Sequence, residues 1–219
     1  MKLQTIFEQH NDKFTGKWKH YFDVYERYLG RFVGQEFTLL EIGTSNGGSL
    51  QVWKKYFGDK VRIVGVDIDP RSLYEEPQIE TYCGNQSDGN FWMNVLNRIG
   101  QPDVIIDDGS HAQMDVLNSF SILFPQLKNN GVYVIEDTHT AYNKEYSGGI
   151  SSPLNFISIA GRFVHDVNLA WVNEPYTPVT QDLKSISFYD SMVVMEKETI
   201  YKKEPAYAGV NKIDTGTWA

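Results

Sequence analysis

Short apolar runs alternate with longer stretches of helical periodicity along this chain. Over residues 14–30, Trp18, Tyr21, Phe22, Tyr25, Tyr28 and Leu29 recur at helical spacing, and Gly30 reads as a stop. Residues 37–42 are an apolar run closed by Gly43, the pattern of a buried parallel strand. Helical periodicity resumes over 48–57. A β-branched run over 61–66 ends at Asp67, and a weaker strand covers 79–83. Residues 90–99 predict a helix. A strong strand over 104–106 ends at Asp107 and Asp108, and a helix follows over 114–127. Residues 131–135 predict another strong strand, ending at Glu136 and Asp137, and 153–167 a further helix. Two strand-like runs, 185–189 and 191–196, are close enough to form a hairpin, with Asp190 near the break.

Alternating strands and helices predict an α/β fold with a mostly parallel sheet covered on both faces. The terminal hairpin adds an antiparallel edge. We therefore expect one doubly wound, Rossmann-like domain with a seven-stranded sheet. Its parts are a helical extension over about 1–34, a core over about 35–197 and a tail over 198–219. In such sheets ligands bind beyond the carboxyl ends of the strands. The polar clusters of this sequence fall at those ends.

Composition narrows the classes. The chain has 219 residues, enough for one well-buried core and cramped for two. Its net charge of -8, with no Lys/Arg block, argues against a nucleic-acid partner. A single cysteine, Cys83, permits no internal disulfide and fits a cytoplasmic protein. The first fourteen residues carry scattered charges and no apolar core, which predicts no signal peptide. No apolar run approaches the ~18 residues of a membrane span, so no membrane partner is expected.

The first strand runs into Glu41, Gly43, Thr44, Ser45, Gly47, Gly48 and Ser49. Glycines let the backbone turn sharply beside a ligand, and the next helix offers free N–H groups there. Ser45 stands where the dinucleotide fingerprint requires its second glycine, which argues against an oxidoreductase of that kind. Asp67, at the end of the second strand, has the position of an acid that binds a ribose diol. The turn Gly84-Asn85-Gln86-Ser87-Asp88 suits an adenine edge. Asp67 and Asp88 also read as strand-end or capping residues.

Asp107-Asp108-Gly109-Ser110-His111 and Glu136-Asp137-Thr138-His139-Thr140 each follow a strong strand. If those strands are neighbours, several carboxylates converge, and a hard cation relieves their repulsion. Mg²⁺ is the natural choice, with Mn²⁺, Ca²⁺ or Fe²⁺ as alternatives. Asp107 has a place either against the cofactor's amino group or as a brace for its loop. Asp108 also reads as a helix cap, and His111 as a solvated loop residue.

At this point the sequence resembles a known family. Leu39-Leu40-Glu41-Ile42-Gly43-Thr44-Ser45-Asn46-Gly47-Gly48-Ser49-Leu50, followed by Gly65-Val66-Asp67-Ile68-Asp69, is similar to the first two motifs of class I methyltransferases dependent on S-adenosylmethionine. The closer resemblance is to macrocin- and mycinamicin-type sugar O-methyltransferases and the related cephalosporin-hydroxylase-like group. It covers roughly residues 14–197. Lys17, His20, Tyr21 and Tyr25 match their N-terminal helix, the 84–88 turn their adenine turn, and residues 186–194 their final hairpin. The resemblance implies S-adenosylmethionine as cofactor, with Asp108, Glu136 and Asp137 as metal ligands and His111 as general base. It further implies that the metal holds hydroxyls of a sugar or glycosylated small molecule. His139 reads as a second base, a substrate contact or a support. Other readings with the same pocket are another small-molecule methyltransferase, a hydroxylase-like enzyme, and a catalytically silent binder. Residues 138–150 read as a lid and 171–179 as a pocket wall. The resemblance leaves room for a homo-oligomer.

Overall fold

The structure is a computed structural model. It describes residues 1–199 together with Glu204, Ala206 and Ala208. Most of the tail expected over 198–219 lies outside the described residues.

The elements run in chain order as α1 (Leu3–Glu8), α2 (Tyr21–Leu29), β1 (Phe37–Ile42), α3 (Gly48–Phe57), β2 (Val61–Asp67), β3 (Ile79–Cys83) and α4 (Gly89–Ile99). They continue with β4 (Val104–Asp107), α5 (Gln113–Leu123), β5 (Val132–Ile135), α6 (Phe156–Ala160), α7 (Val164–Val167), β6 (Leu183–Tyr189) and β7 (Met192–Lys197). The seven strands form one sheet in the order β3-β2-β1-β4-β5-β7-β6. The first five are parallel, and β7 runs antiparallel to both β5 and β6.

Both faces of the sheet are covered, which is why its central strands read as unbroken apolar runs. On one face Leu39, Ile63, Ile106 and Val134 pack with Tyr21, Tyr25, Trp53 and Phe57 from α2 and α3. On the other, Leu40, Val64, Ile105 and Tyr133 pack with Trp92, Phe120 and Phe156 from α4, α5 and α6.

Three expected helices are shorter or broken. The pattern over 14–30 is helical only from Tyr21, so Lys17 and Trp18 lie on the approach to α2. Helix α5 stops at Leu123, and Phe124–Gln126 tightens into a 3-10 turn where Pro125 lacks a donor. The span 153–167 divides into α6, a 3-10 turn and α7, with Gly161 after the first piece. Helix α1 falls within the helical extension expected over about 1–34, although no separate helix was expected there.

Register places the site. Ile42 pairs with Val66 and with Asp107, and Asp107 pairs with Ile135. The residues that follow therefore leave the sheet along one edge. Their backbones are tied in sequence: Gly84 N donates to Asp67, Gly43 N to Val66, Asp108 N to Ile42, and Glu136 N to Asp107. The strand order reverses between β1 and β4, so this edge is a topological switch point.

Candidate active site

Two adjoining sites occupy that edge. The first is a cleft of about 180 Å³ between the β1, β2 and β4 loops, lined by Gly43, Asp67, Gly84, Asn85, Gln86 and Gly109 among others. Gly43 has φ +83°, and a Cβ there would stand 2.0 Å from the Asp108 carbonyl oxygen. Only glycine lets the ends of β1 and β4 approach this closely. Asp67 accepts from Ser45 N at 2.7 Å and from Asp69 N at 2.9 Å, which fixes its carboxylate at the cleft rim. Gln86 Oε1 accepts from Ser110 N at 2.7 Å, and the Gln86 carbonyl accepts from Trp92 Nε1 at 2.8 Å. Asp115 closes the far side by accepting from both Ser87 Oγ and Ser110 Oγ.

Of the residues expected at a cofactor, Gly43, Asp67, Asn85 and Gln86 line this cleft. Ser45 joins Asp67 along a neighbouring opening that also holds Lys13 and Arg71. The others serve the frame. Glu41 and Ser49 bond to each other beneath the loop at 2.8 Å, and Thr44 is buried. Gly47 caps α3 with φ +82°. Ser87 serves Asp115, and Asp88 caps α4 through Asn90 N and Phe91 N. Asp107 braces its loop: it accepts from Ser119 Oγ at 2.5 Å and from Gln86 Nε2 at 3.3 Å. Burial pushes its carboxyl up to about 6 against those hydrogen bonds.

The second site is a bowl of about 290 Å³ beyond β4 and β5, lined by Gly16, Lys17, Trp18, Tyr21, Asp108, Glu136 and Asp137. It shares the β4 loop with the cleft, because Asp108 faces the bowl and Gly109 the cleft. Tyr21 Oη donates to Asp137 Oδ1 at 2.6 Å, and Trp18 Nε1 donates to the same oxygen at 3.1 Å. Tyr25 Oη donates to Glu136 Oε1 in a short contact. Lys17 Nζ lies 2.7 Å from Asp108 Oδ2 and 2.7 Å from Glu136 Oε1.

Burial opposes the charge on Lys17, yet Asp108, Glu136 and Glu41 hold its pKa well above the ordinary value. Burial, then the Asp108 charge, pushes the Glu136 carboxyl up to about 8, while Lys17 pulls it down. Three acids around one ammonium keep the lysine charged, and their mutual repulsion favours a proton on Glu136.

His111 Nε2 stands 3.8 Å from Asp108 Oδ1 and 3.7 Å from Asp137 Oδ2, too far for hydrogen bonds. One ligand atom from each of Asp108, His111 and Asp137 lies within 4.8 Å of the others. Two hard carboxylate oxygens and an imidazole this close together fit a divalent cation. His139 sits at the rim, half exposed, 3.9 Å from Asp137 and edge-on to Trp18. The motif reading gave no role to Lys17, Tyr21, Tyr25 or Asp115. For the first three a signal existed: residues with polar tips recur every fourth position within an otherwise apolar stripe.

No family model matches the chain. It is 30% identical over 209 residues to 8-demethyl-8-alpha-L-rhamnosyl tetracenomycin-C 2'-O-methyltransferase of Streptomyces olivaceus, covering 90% of this chain and 54% of that protein. Demethylmacrocin O-methyltransferase of Streptomyces fradiae is 40% identical over 149 residues, 64% of this chain and 37% of that one. Among solved structures, the MycE methyltransferase from the mycinamycin biosynthetic pathway, in complex with Mg and SAH, superposes with a TM-score of 0.82 at 28% identity. That match covers 91% of this chain and 55% of MycE, so the chain spans about half the length of its full-chain relatives. By sequence and by fold, the chain is a homologue of the sugar O-methyltransferases of the macrocin and mycinamicin type.

Proposed function

We propose that this chain is an S-adenosylmethionine-dependent, divalent-metal-assisted O-methyltransferase acting on a hydroxyl of a sugar or glycosylated small molecule. The observation that carries this reading is the close grouping of Asp108, Asp137 and His111, next to the Gly43–Asp67–Gln86 cleft. The relatives' names supply the acceptor class, and one MycE structure holds Mg, SAH and Mycinamycin VI.

Asp67 would hold the ribose hydroxyls of S-adenosylmethionine, and Asn85 and Gln86 the adenine edge. Asp108, Glu136 and Asp137 would hold the cation, preferably Mg²⁺. When bound, the cation lowers the pKa of the acceptor hydroxyl. His111 then takes the hydroxyl proton on Nε2, since imidazole titrates near neutral pH. The shared β4 loop fixes the distance between acceptor and methyl donor, so positioning supplies part of the rate. His139 supports Asp137 at the rim. On this reading the described domain works in the cytoplasm, without a nucleic-acid or membrane partner, with a homo-oligomer as a further part of the proposal. Among the described residues no helix is long and apolar enough to cross a membrane.

The test is transfer of labelled methyl to a panel of glycosides, with and without exhaustive chelation. We expect transfer that stops on chelation and returns with Mg²⁺. Transfer that persists after complete removal of metal would sink the metal role.

A further inference from the structure

Trp18 lines the acid bowl with its side chain held and much of its ring uncovered. It is 56% exposed, whereas Trp53 and Trp92 are buried in the two cores. Single exposed apolar residues are ordinary on a protein surface and call for no ligand. Trp18 differs in being a wall of the bowl and in being fixed there. Its Nε1 donates to Asp137 Oδ1 at 3.1 Å, and the rings of His20 and His139 each lie 6.3 Å from it between centroids. Its carbonyl accepts from Tyr21 N at 3.0 Å, which ties its backbone to the start of α2. A ring already held loses little freedom when a ligand packs on it.

Its place relative to the chemistry is set by one carboxylate. Asp137 Oδ1 accepts from the indole, and Asp137 Oδ2 stands 3.7 Å from His111 Nε2. Asp137 is also one of the three acids proposed to hold the cation, with Asp108 and Glu136. An acceptor whose hydroxyl reaches the cation and His111 therefore lies beside the indole. A pyranose carries its hydroxyls around its edge and C–H groups on its faces. The face of an indole has no donor or acceptor for a hydroxyl, but its negative quadrupole attracts polarised C–H groups.

We infer that Trp18 is a specificity-determining residue: its indole is the platform for the C–H face of the acceptor's pyranose ring, whose edge hydroxyls are thereby turned to the cation and His111. This rests on the reading of the chain as a sugar O-methyltransferase.

The experiment compares Trp18→Phe with Trp18→Leu. Both lack the N–H that reaches Asp137 and both are apolar, but only Phe keeps an aromatic face. The acceptor is whichever glycoside of the panel wild type methylates best. Absence of transfer to every glycoside by wild type would reject the proposed function, and this inference with it. Given transfer, KM for the glycoside should be about three- to tenfold higher in Trp18→Leu than in Trp18→Phe. The value of kcat should be alike in the two, because binding shared by ground and transition states appears in KM alone. Affinities for S-adenosylhomocysteine, by calorimetry, and for Mn²⁺, by electron paramagnetic resonance, should also agree between them. If Trp18→Leu does not fold, Trp18→Met, equally apolar and without a ring, takes its place. Equal KM values in the two variants would overturn the inference. So would a KM difference matched by a difference in Mn²⁺ affinity, since the ring would then act through Asp137 and not on the sugar.

Discussion

The two sites on this sheet edge are neighbours, yet they are held in different ways. Beside β1 and β2 the cleft is fixed largely by backbone donors close in sequence. Ser45 N and Asp69 N hold Asp67, and Ser110 N holds Gln86, across 2 to 24 residues. Beyond β4 and β5 the acids are held by side chains from the other end of the chain. Lys17, Trp18, Tyr21 and Tyr25 reach them across 91 to 119 residues. A backbone donor survives almost any substitution that keeps the turn, whereas a side-chain donor is lost with one. Cofactor recognition should therefore tolerate sequence change at its frame, and the acid site should not.

Four substitutions probe that contrast. His111→Ala should lower turnover by about 10²–10⁴-fold while S-adenosylhomocysteine affinity, measured by calorimetry, stays within about twofold. A parallel fall in both would mean that the two sites are one unit. Asp67→Ala should do the reverse. Lost hydrogen bonds to a charged group, worth about 1.5–3 kcal/mol, should weaken S-adenosylhomocysteine by about ten- to a hundredfold and leave Mn²⁺ binding intact. Tyr25→Phe strips a buried donor from Glu136. The expected cost is about 1–3 kcal/mol of stability, seen as a melting point lower by several degrees with cofactor affinity kept. Asp88→Ala removes a helix cap, so about 1 kcal/mol of stability should go with no change in cofactor binding. A clear loss of S-adenosylhomocysteine affinity in that variant would extend the adenine turn to residue 88.

The same contrast explains what could be read from the chain. All seven strands were legible, because strands buried on both faces leave apolar runs. The carboxylates were legible too, since Asp108, Glu136 and Asp137 each follow such a run directly. Which residues of the two cofactor motifs face the cleft was not legible. Proximity in a motif does not distinguish a side chain that faces the cleft from one that caps a helix or lies beneath the loop. The roles of Lys17 and Tyr25 were illegible for a different reason, although their spacing was not. Their partners are set by how α2 docks on the far face of the sheet, and no local pattern encodes that docking. The helix drawn through residue 17 also misplaced the lysine on a regular turn, whereas it comes from the approach segment.

The left-handed backbone at Ser45, His111 and Asp137, with φ of 47°, 58° and 51°, bears on how this protein would respond to selection. Such a conformation costs an ordinary side chain roughly 1–2 kcal/mol, less for His and Asp. His111→Gly and Asp137→Gly each relieve that cost while deleting a side chain that the proposed chemistry uses, whereas Ser45→Gly keeps the backbone N–H that holds Asp67. A library screened only for heat resistance would drift toward those changes and lose turnover as it gained robustness. One screened for product would hold His111 and Asp137 against the drift, so those two codons report which pressure the chain has been under.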